Sequence, residues 1–173
     1  GLPDVSIANA QSCLIASSEA ALADAAQQVF LEDFDLQATP SKDIDAWADF
    51  IGANVFDDAA WRAALRARLC VLSDDVFNFL LEHGTEITAR VRLEEKAQTV
   101  ASGALWYEEA LPAETILSGL LVAAKGRATS DEVFKTVDEI VAQHKAVQLG
   151  GKATVGRGLC RIRLTGDGKG VAQ

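Results

Sequence analysis

The segment from Leu149 to Leu159 interleaves Gly150, Gly151, Gly156 and Gly158 with Lys152, Thr154 and Arg157. Glycine lets a backbone take positive φ and come close to a phosphate, while neighbouring cations neutralise the arriving charge. The chemistry this pattern predicts is anion binding. It is not a P-loop, because Gly151-Lys152-Ala153 stands where a lysine followed by serine or threonine is needed, and it leads to a strand. Nor is it a dinucleotide fingerprint, since no helix N-terminus waits to receive a pyrophosphate. By itself the stretch also reads as an ordinary glycine-rich turn between helix and strand. Beyond it Arg161 and Arg163 alternate with Ile162 and Leu164, so the strand leaving the loop continues the positive charge along one face.

A second basic site lies upstream. Arg90 and Arg92 share a strand face, and Trp106 and Tyr107 on the return strand offer stacking area, a combination suited to single-stranded nucleic acid. The competing reading is a solvated edge hairpin whose arginines pair with Glu94 or Glu95. Glu108 and Glu109 form an acid pair near aromatics, but adjacent strand residues point to opposite faces and cannot act together on one substrate. His83 and His144 lie near helix ends without ligand spacing, and Asp74 and Asp75 suit a helix N-terminus on dipole grounds alone. Trp47 and Trp61 fall on helical apolar stripes and read as core. No Ser/His/Asp or Cys/His nucleophile set is present.

Several elements must position these residues. Phe30, Glu32, Phe34 and Leu36 alternate with Leu31, Asp33 and Asp35, which predicts a strand closed by Pro40. Two helices follow: one capped by Ser41 with Ile44, Trp47, Ala48 and Ile51 on one face, and one with Trp61, Leu65 and Leu69 on its stripe. Ser73 caps another helix that Gly84 ends. Ile87, Ala89, Val91 and Leu93 alternate with Thr88, Arg90, Arg92 and Glu94, and the run from Thr99 to Glu109 pairs with them as a hairpin. Thr115 to Ala124 is uninterrupted apolar sequence and reads as a buried central strand. A helix capped by Ser130, with Val133, Val137, Ile140 and Val141 at helical spacing, precedes the glycine loop and a final strand. The sum is one α+β domain over residues 1–173, with helices on one face of an antiparallel sheet and a helical insertion at 41–69.

The chain has 173 residues and 49% hydrophobic composition, enough for one sizeable core, and no apolar run near the ~20 residues of a membrane helix. The N-terminal residues lack the basic start and apolar stretch of a secretory signal, so the expected address is cytoplasmic. Cys13, Cys70 and Cys160 are odd in number and far apart, which argues for small buried apolar residues rather than disulfides or zinc ligands. Net charge is −9, which opposes indiscriminate nucleic-acid binding. The total hides an asymmetry. From Ala146 onward Lys152, Arg157, Arg161, Arg163 and Lys169 stand against Asp167 alone, a local +4 that leaves −13 on the other 145 residues.

The ordered pieces LCVLSDDVFNFLLEHGTEITARVRLEEKAQTVASGALWYEEALPAETIL and VQLGGKATVGRGLCRIRL resemble the C-terminal half of the RAMP backbone subunit of type III-B CRISPR effector complexes, the repeated subunit of the Cmr complex. The likeness runs over roughly 29–164, and its strength is the order of the TEI, YEE-x-LP and LGG pieces. It implies a modified ferredoxin-like, RRM-like core, present in part, whose copies stack as a filament along guide RNA. It further implies that Gly150, Gly151, Lys152, Thr154, Gly156, Arg157, Gly158 and Arg161 lie against the guide backbone. Residues 85–112 match a β-hairpin thumb that reaches over the guide–target duplex, which makes Arg90, Arg92, Trp106 and Tyr107 RNA contacts. Target RNA, copies of the chain and other effector-complex subunits are the implied partners.

The chain departs from that family in one large respect. No segment matches the N-terminal half that carries the aspartate linked to metal-dependent target-RNA cleavage, so catalysis is assigned to no residue, with Glu109 as an auxiliary candidate only. A divalent metal is expected for cleavage by a full-length protein and no cofactor for this segment. The absence of Met supports the expectation that these residues belong to a longer polypeptide. Two other readings stay open: a nucleotide-phosphate enzyme using the glycine loop, and an assembly module whose interface is the acidic helices.

Overall fold

A computed structural model of the chain describes all residues except Glu19, 95–99, Lys125, Lys145 and 166–173. It divides into two units, Gly1–Leu117 and Ser118–Gln173. The architecture is mixed α+β.

In the first unit, period-two alternation builds the core. Strand β1 (Ser12–Ala16) pairs in parallel with β3 (Phe34–Ser41), β2 (Gln28–Leu31) pairs antiparallel with β3, and β4 (Cys70–Val71) pairs antiparallel with β1, giving the order β2-β3-β1-β4. Cys13, Ile15, Val29, Leu36 and Ala38 are buried together, with Leu22, Leu31, Phe34 and Cys70 packed against them. Burial pushes the Cys70 thiol up to about 12 and raises that of Cys13, so both behave as protonated apolar groups. Cys13 is buried as the sequence suggests, whereas Cys70 and Cys160 are only half-buried.

The single strand expected up to Pro40 is a tight hairpin. Its turn lies at Glu32-Asp33, where Glu32 adopts φ 51° in the left-handed region, and Leu31 pairs with Phe34 across it. Two turn-forming acidic residues inside an alternating run carry no apolar signal of their own, so the pattern passes through the reversal unmarked. Pro40 does not close the strand but sits inside β3 opposite Ile15.

Helix α1 (Lys42–Val55) starts where Ser41 Oγ accepts from the Asp43 N–H at 3.1 Å, and it buries Ile44, Ala48 and Gly52 at four-residue spacing. Helix α2 (Ala59–Arg68) is capped by Asp58, which accepts from the Ala60 N–H at 2.7 Å. Trp61, expected in the core, is half-exposed and stacks on Phe56 with ring centroids 6.0 Å apart. Trp47 is half-buried and donates its indole N–H to the Pro3 carbonyl at 3.0 Å. Helix α3 (Asp74–His83) ends at Gly84, whose N–H donates to the Leu80 carbonyl, as the sequence predicts; Ser73 stands at its N-cap position, but its hydroxyl makes no cap bond. Strands β5 (Glu86–Leu93) and β6 (Val100–Ala110) form the expected hairpin.

In the second unit, helix α4 (Ser130–Gln143) begins one residue earlier than expected. Its cap is Thr129, in a capping box with Glu132 whose reciprocal bonds are 3.3 and 2.8 Å. The Thr129 N–H and hydroxyl hold the Glu132 carboxyl below its ordinary range. The apolar run Thr115–Ala124 is not a buried strand. It has no regular structure, and Leu120 and Val122 are 95% and 78% exposed. An unbroken apolar run registers a need for burial, not the presence of a neighbour to supply it.

Asp45 on α1 ties the end of β1 to the helices. Its carboxylate accepts the Ser17 hydroxyl and, at 3.0 Å, the Ser17 N–H, while Arg66 of α2 lies 3.4 Å away. The Ser17 hydroxyl, then the Ser17 and Ser18 N–H groups and Arg66, hold this carboxyl below its ordinary value of 3.8. A depressed folded value contributes stability present above the ordinary carboxylate range and lost as pH falls through the folded value. Asp45→Ala is therefore expected to cost about 2 kcal/mol at neutral pH, the scale of charge-assisted hydrogen bonds. Thermal unfolding followed across the acid range should show a shallower acid decline in the variant than in the parent.

Candidate nucleic-acid interface

The hairpin register decides which of its side chains share a face. Thr88 opposes Glu108 and Arg90 opposes Trp106, whereas Ile87, Ala89 and Val91 oppose Glu109, Tyr107 and Leu105. Arg90 and Trp106 therefore form a cross-strand pair on one face, and Tyr107 belongs to the other. The ladder shifts register between Val91 and Leu93, which puts exposed Arg92 at the irregularity.

Glu108 organises the first face. It accepts the Trp106 indole N–H at 3.1 Å and lies 3.4 Å from Arg90 Nε. The competing hairpin reading paired the arginines with Glu94 or Glu95; Arg90 pairs across the strands with Glu108, and Glu95 lies outside the described residues. Glu109 turns to the opposite face, where it accepts the Thr85 hydroxyl at 2.7 Å. The two glutamates thus work apart, as strand alternation requires.

The glycine loop is closed by a two-residue ladder. Strand β7 (Val147–Gln148) pairs with β8 (Leu159–Cys160), the Leu149 N–H donates to the Gly158 carbonyl at 2.9 Å, and Gln148 Nε2 donates to the Arg157 carbonyl at 2.8 Å. Gln148 is a bracing residue that sequence reasoning missed, because its role depends on the loop folding back over it. Between the strands, Ala153–Val155 makes one 3-10 turn. Gly158 has φ 77°, and a Cβ there would lie 2.0 Å from the Leu149 carbonyl oxygen. Gly150 has φ 83° but open space around it, and Gly156 has φ 75°.

Several loop N–H groups are turned inward. Those of Val155 and Arg157 donate to the Lys152 carbonyl, and that of Gly156 donates to the Ala153 carbonyl. A main-chain phosphate cradle needs such donors convergent and available. What the loop presents outward is side chains: Lys152 and Thr154 are exposed and Arg157 is half-buried. The expected long final strand ends at Cys160; Arg161 and Arg163 lie beyond it, exposed, with Ile162 half-buried between them. The hairpin residues belong to the first unit and the loop residues to the second.

The residues that carry other chemistry take structural places. His83 contacts the Phe79 carbonyl through Nδ1 at 2.9 Å and stacks on the Phe79 ring, and His144 is the C-cap of α4. Among the described residues no group of three or more His, Cys, Asp or Glu side chains comes together to hold a metal ion. No helix among them is long and apolar enough to cross a membrane.

A family model described as the RAMP superfamily matches residues 13–161. The chain belongs to the RAMP superfamily. It is 34% identical over 102 residues to the CRISPR system Cmr endoribonuclease Cmr4 of Pyrococcus furiosus, a match covering 58% of this chain and 34% of that protein. It is 27% identical over 99 residues to the CRISPR system CMR subunit Cmr4 of Saccharolobus solfataricus, covering 57% and 31%. The chain therefore spans about a third of the length of these RAMP relatives. Among solved structures, oligomeric Cmr4 from P. furiosus has a TM-score of 0.55 at 24% identity, covering 86% of this chain and 50% of that one. A chain of the type III-B Cmr-beta complex bound to cognate target RNA has a TM-score of 0.53 at 20% identity, covering 88% and 45%. These structures share the fold.

The two glycines at the loop's ends should respond differently to a methyl group. Gly158→Ala must push the Leu149 carbonyl aside and is expected to cost about 1–3 kcal/mol or to open the β7–β8 ladder. Gly150→Ala meets only the left-handed penalty of about 1 kcal/mol. Thermal unfolding of the two variants measures the difference, and equal losses would contradict this geometry.

Proposed function

We propose that this chain is part of a guide-RNA-binding, filament-forming backbone subunit of a type III-B CRISPR effector complex, built on an RRM-like core. The observation that carries the reading is the glycine loop of a RAMP-superfamily chain, which presents Lys152 and Thr154 outward from a short braced ladder. Its inward N–H groups favour side-chain contact with a polymer backbone over main-chain capture of one nucleotide phosphate. Gly150 to Gly158 and Arg161 follow the guide backbone. The hairpin at 85–112 acts as the thumb, with Arg90, Arg92 and Trp106 toward RNA. Guide RNA, target RNA, copies of the chain and other effector subunits are the partners. Metal-dependent target cleavage belongs to the full-length protein, with Glu109 auxiliary to it.

Reversing the charges of Lys152 and Arg157 is expected to weaken RNA binding for all sequences. It should also flatten the dependence of log affinity on log salt by about 1.4, two phosphate contacts on a single strand. Fluorescence anisotropy with labelled RNA across a salt series tests this, and an unchanged slope refutes it. A mononucleotide that saturates the chain as tightly as longer RNA would favour the enzyme reading instead. For the thumb, replacing Arg90 and Arg92 in a reconstituted complex should leave guide binding nearly intact and alter the spacing of target cleavage; unaltered spacing counts against the assignment.

A further inference from the structure

Cys13 and Cys70 carry chemistry that RNA binding does not use. They stand on neighbouring strands of the first unit. Ile15 of β1 opposes Cys70 of β4, and alternation returns Cys13 to the same face two residues earlier, so the two cysteines are diagonal neighbours across the seam. Cys13 is fully buried in the core, and Cys70 packs against that core from the edge strand. Both thiols are free, and they are hydrogen-bonded to each other. Cys70 also lines an apolar hollow of about 260 Å³, bordered by Leu72, Phe77 and Thr85 among others.

We infer that Cys13 and Cys70 are a redox-convertible pair, which exchange with a low-molecular-weight disulfide joins in a cross-link between β1 and β4. The inference goes beyond the RNA-binding reading and does not depend on it. Cys70 meets the oxidant first, because it borders the hollow while Cys13 is sealed in the core. Its sulfur attacks one sulfur of the small disulfide, whose S–S bond breaks and releases one small thiol carrying the Cys70 proton. The Cys13 sulfur then attacks the Cys70 sulfur, the protein S–S bond forms, and the second small thiol leaves with the Cys13 proton. The two cysteines give up two electrons, and the small disulfide takes them.

Geometry sets what the closure requires. Diagonal positions on paired strands lie ~7–8 Å apart, and a disulfide spans at most about 7 Å between Cα atoms. Strand β4 must therefore move toward Cys13 by about 1 Å. It is the element placed to do so, a two-residue edge strand tied to β1 by two ladder pairs, Leu14 with Val71 and Ile15 with Cys70. While β4 is seated, burial first and then the neighbouring Cys13 push the Cys70 thiol up to about 12, which keeps it protonated and unreactive. Reaction waits on the lifting of β4, so the pair responds slowly and only to a sustained oxidising pool. Once formed, the bond encloses β2, β3, α1 and α2 between its ends. A cross-link over so long a stretch removes freedom from the unfolded chain and stabilises the folded one.

The test is a glutathione redox titration of the purified chain. After incubation at rising ratios of oxidised to reduced glutathione, the chain is acid-quenched, unfolded and alkylated, and its peptides are mapped by mass spectrometry. The linked Cys13–Cys70 form should accumulate as the ratio rises and revert in excess reduced glutathione. Its thermal midpoint should lie about 5 °C or more above that of the reduced chain. Exchange at Cys70 should run at least tenfold slower in the folded chain than in the urea-unfolded one. In Cys13→Ser the reaction should stop with glutathione on Cys70, and in Cys160→Ser the link should form as in the parent. If a serine variant fails to fold, the peptide map of the parent, which needs no substitution, decides. A parent that retains both thiols at every ratio, a link to Cys160 or between two chains instead, glutathione left on Cys70 of the parent, or a linked chain that melts no higher than the reduced one would each overturn the inference.

Discussion

Burial of apolar surface, and the limited number of places this chain has to achieve it, is the constraint on which the rest of the structure depends. In the first unit five side chains from β1, β2 and β3 are packed out of water, and the parallel pairing of β1 with β3 brings four of them together. Asp45 holds that arrangement at the end of β1 through bonds to Ser17 and its approach to Arg66. Past β4 the balance changes. Helix α3 buries only Val76, and the β5–β6 hairpin leaves its aliphatic face in water. Hydrophobic burial is worth about 25 cal/mol per Å², so an uncovered face of this extent is a standing drive toward association.

The elements legible in the sequence are those whose signals are local. Ser41 and Gly84 mark helix ends by side-chain or backbone chemistry within a few residues, and they stand at those ends here, whereas Ser73 holds the N-cap position without a cap bond from its hydroxyl. The hairpin was legible from period-two alternation, and from that alternation followed the separation of Glu108 from Glu109. Features that depend on another element were not. The reversal at Glu32-Asp33 is hidden because both strands it joins keep the same alternation. Trp61 lies on an apolar stripe that meets Phe56 and solvent instead of a core. Thr115–Ala124 has the composition of a central strand, and composition is silent on whether a second strand is there to pair with it.

The candidate site divides in the same way. Glycines and cations at 150–158 were visible by residue type, and the need for Gly158 in particular comes from the Leu149 carbonyl, nine residues away in sequence and 2.0 Å from where a Cβ would sit. Arg90 and Trp106 were visible as a basic and stacking pair, but Glu108 as the group that fixes both required the register. Tyr107 shows the limit most clearly. As a neighbour of Trp106 it looks like more of the same stacking area, yet one step along a strand turns it onto the opposite face.

That one-residue alternation gives the hairpin two separate chemistries. Its polar face has a carboxylate between an arginine and an indole, which keeps the cation positioned and limits how strongly it attracts phosphate on its own. Such a face can guide a polynucleotide without binding it indiscriminately, in keeping with a net charge of −9. Its other face carries Glu109 near its base and is otherwise a surface that water disfavours. On the proposed reading the subunit meets nucleic acid and protein at once, and a two-stranded ribbon with period-two alternation separates those demands through the thickness of one sheet. Mixing them on one face would set Arg90 among apolar groups away from Glu108, where a buried unpaired cation is costly.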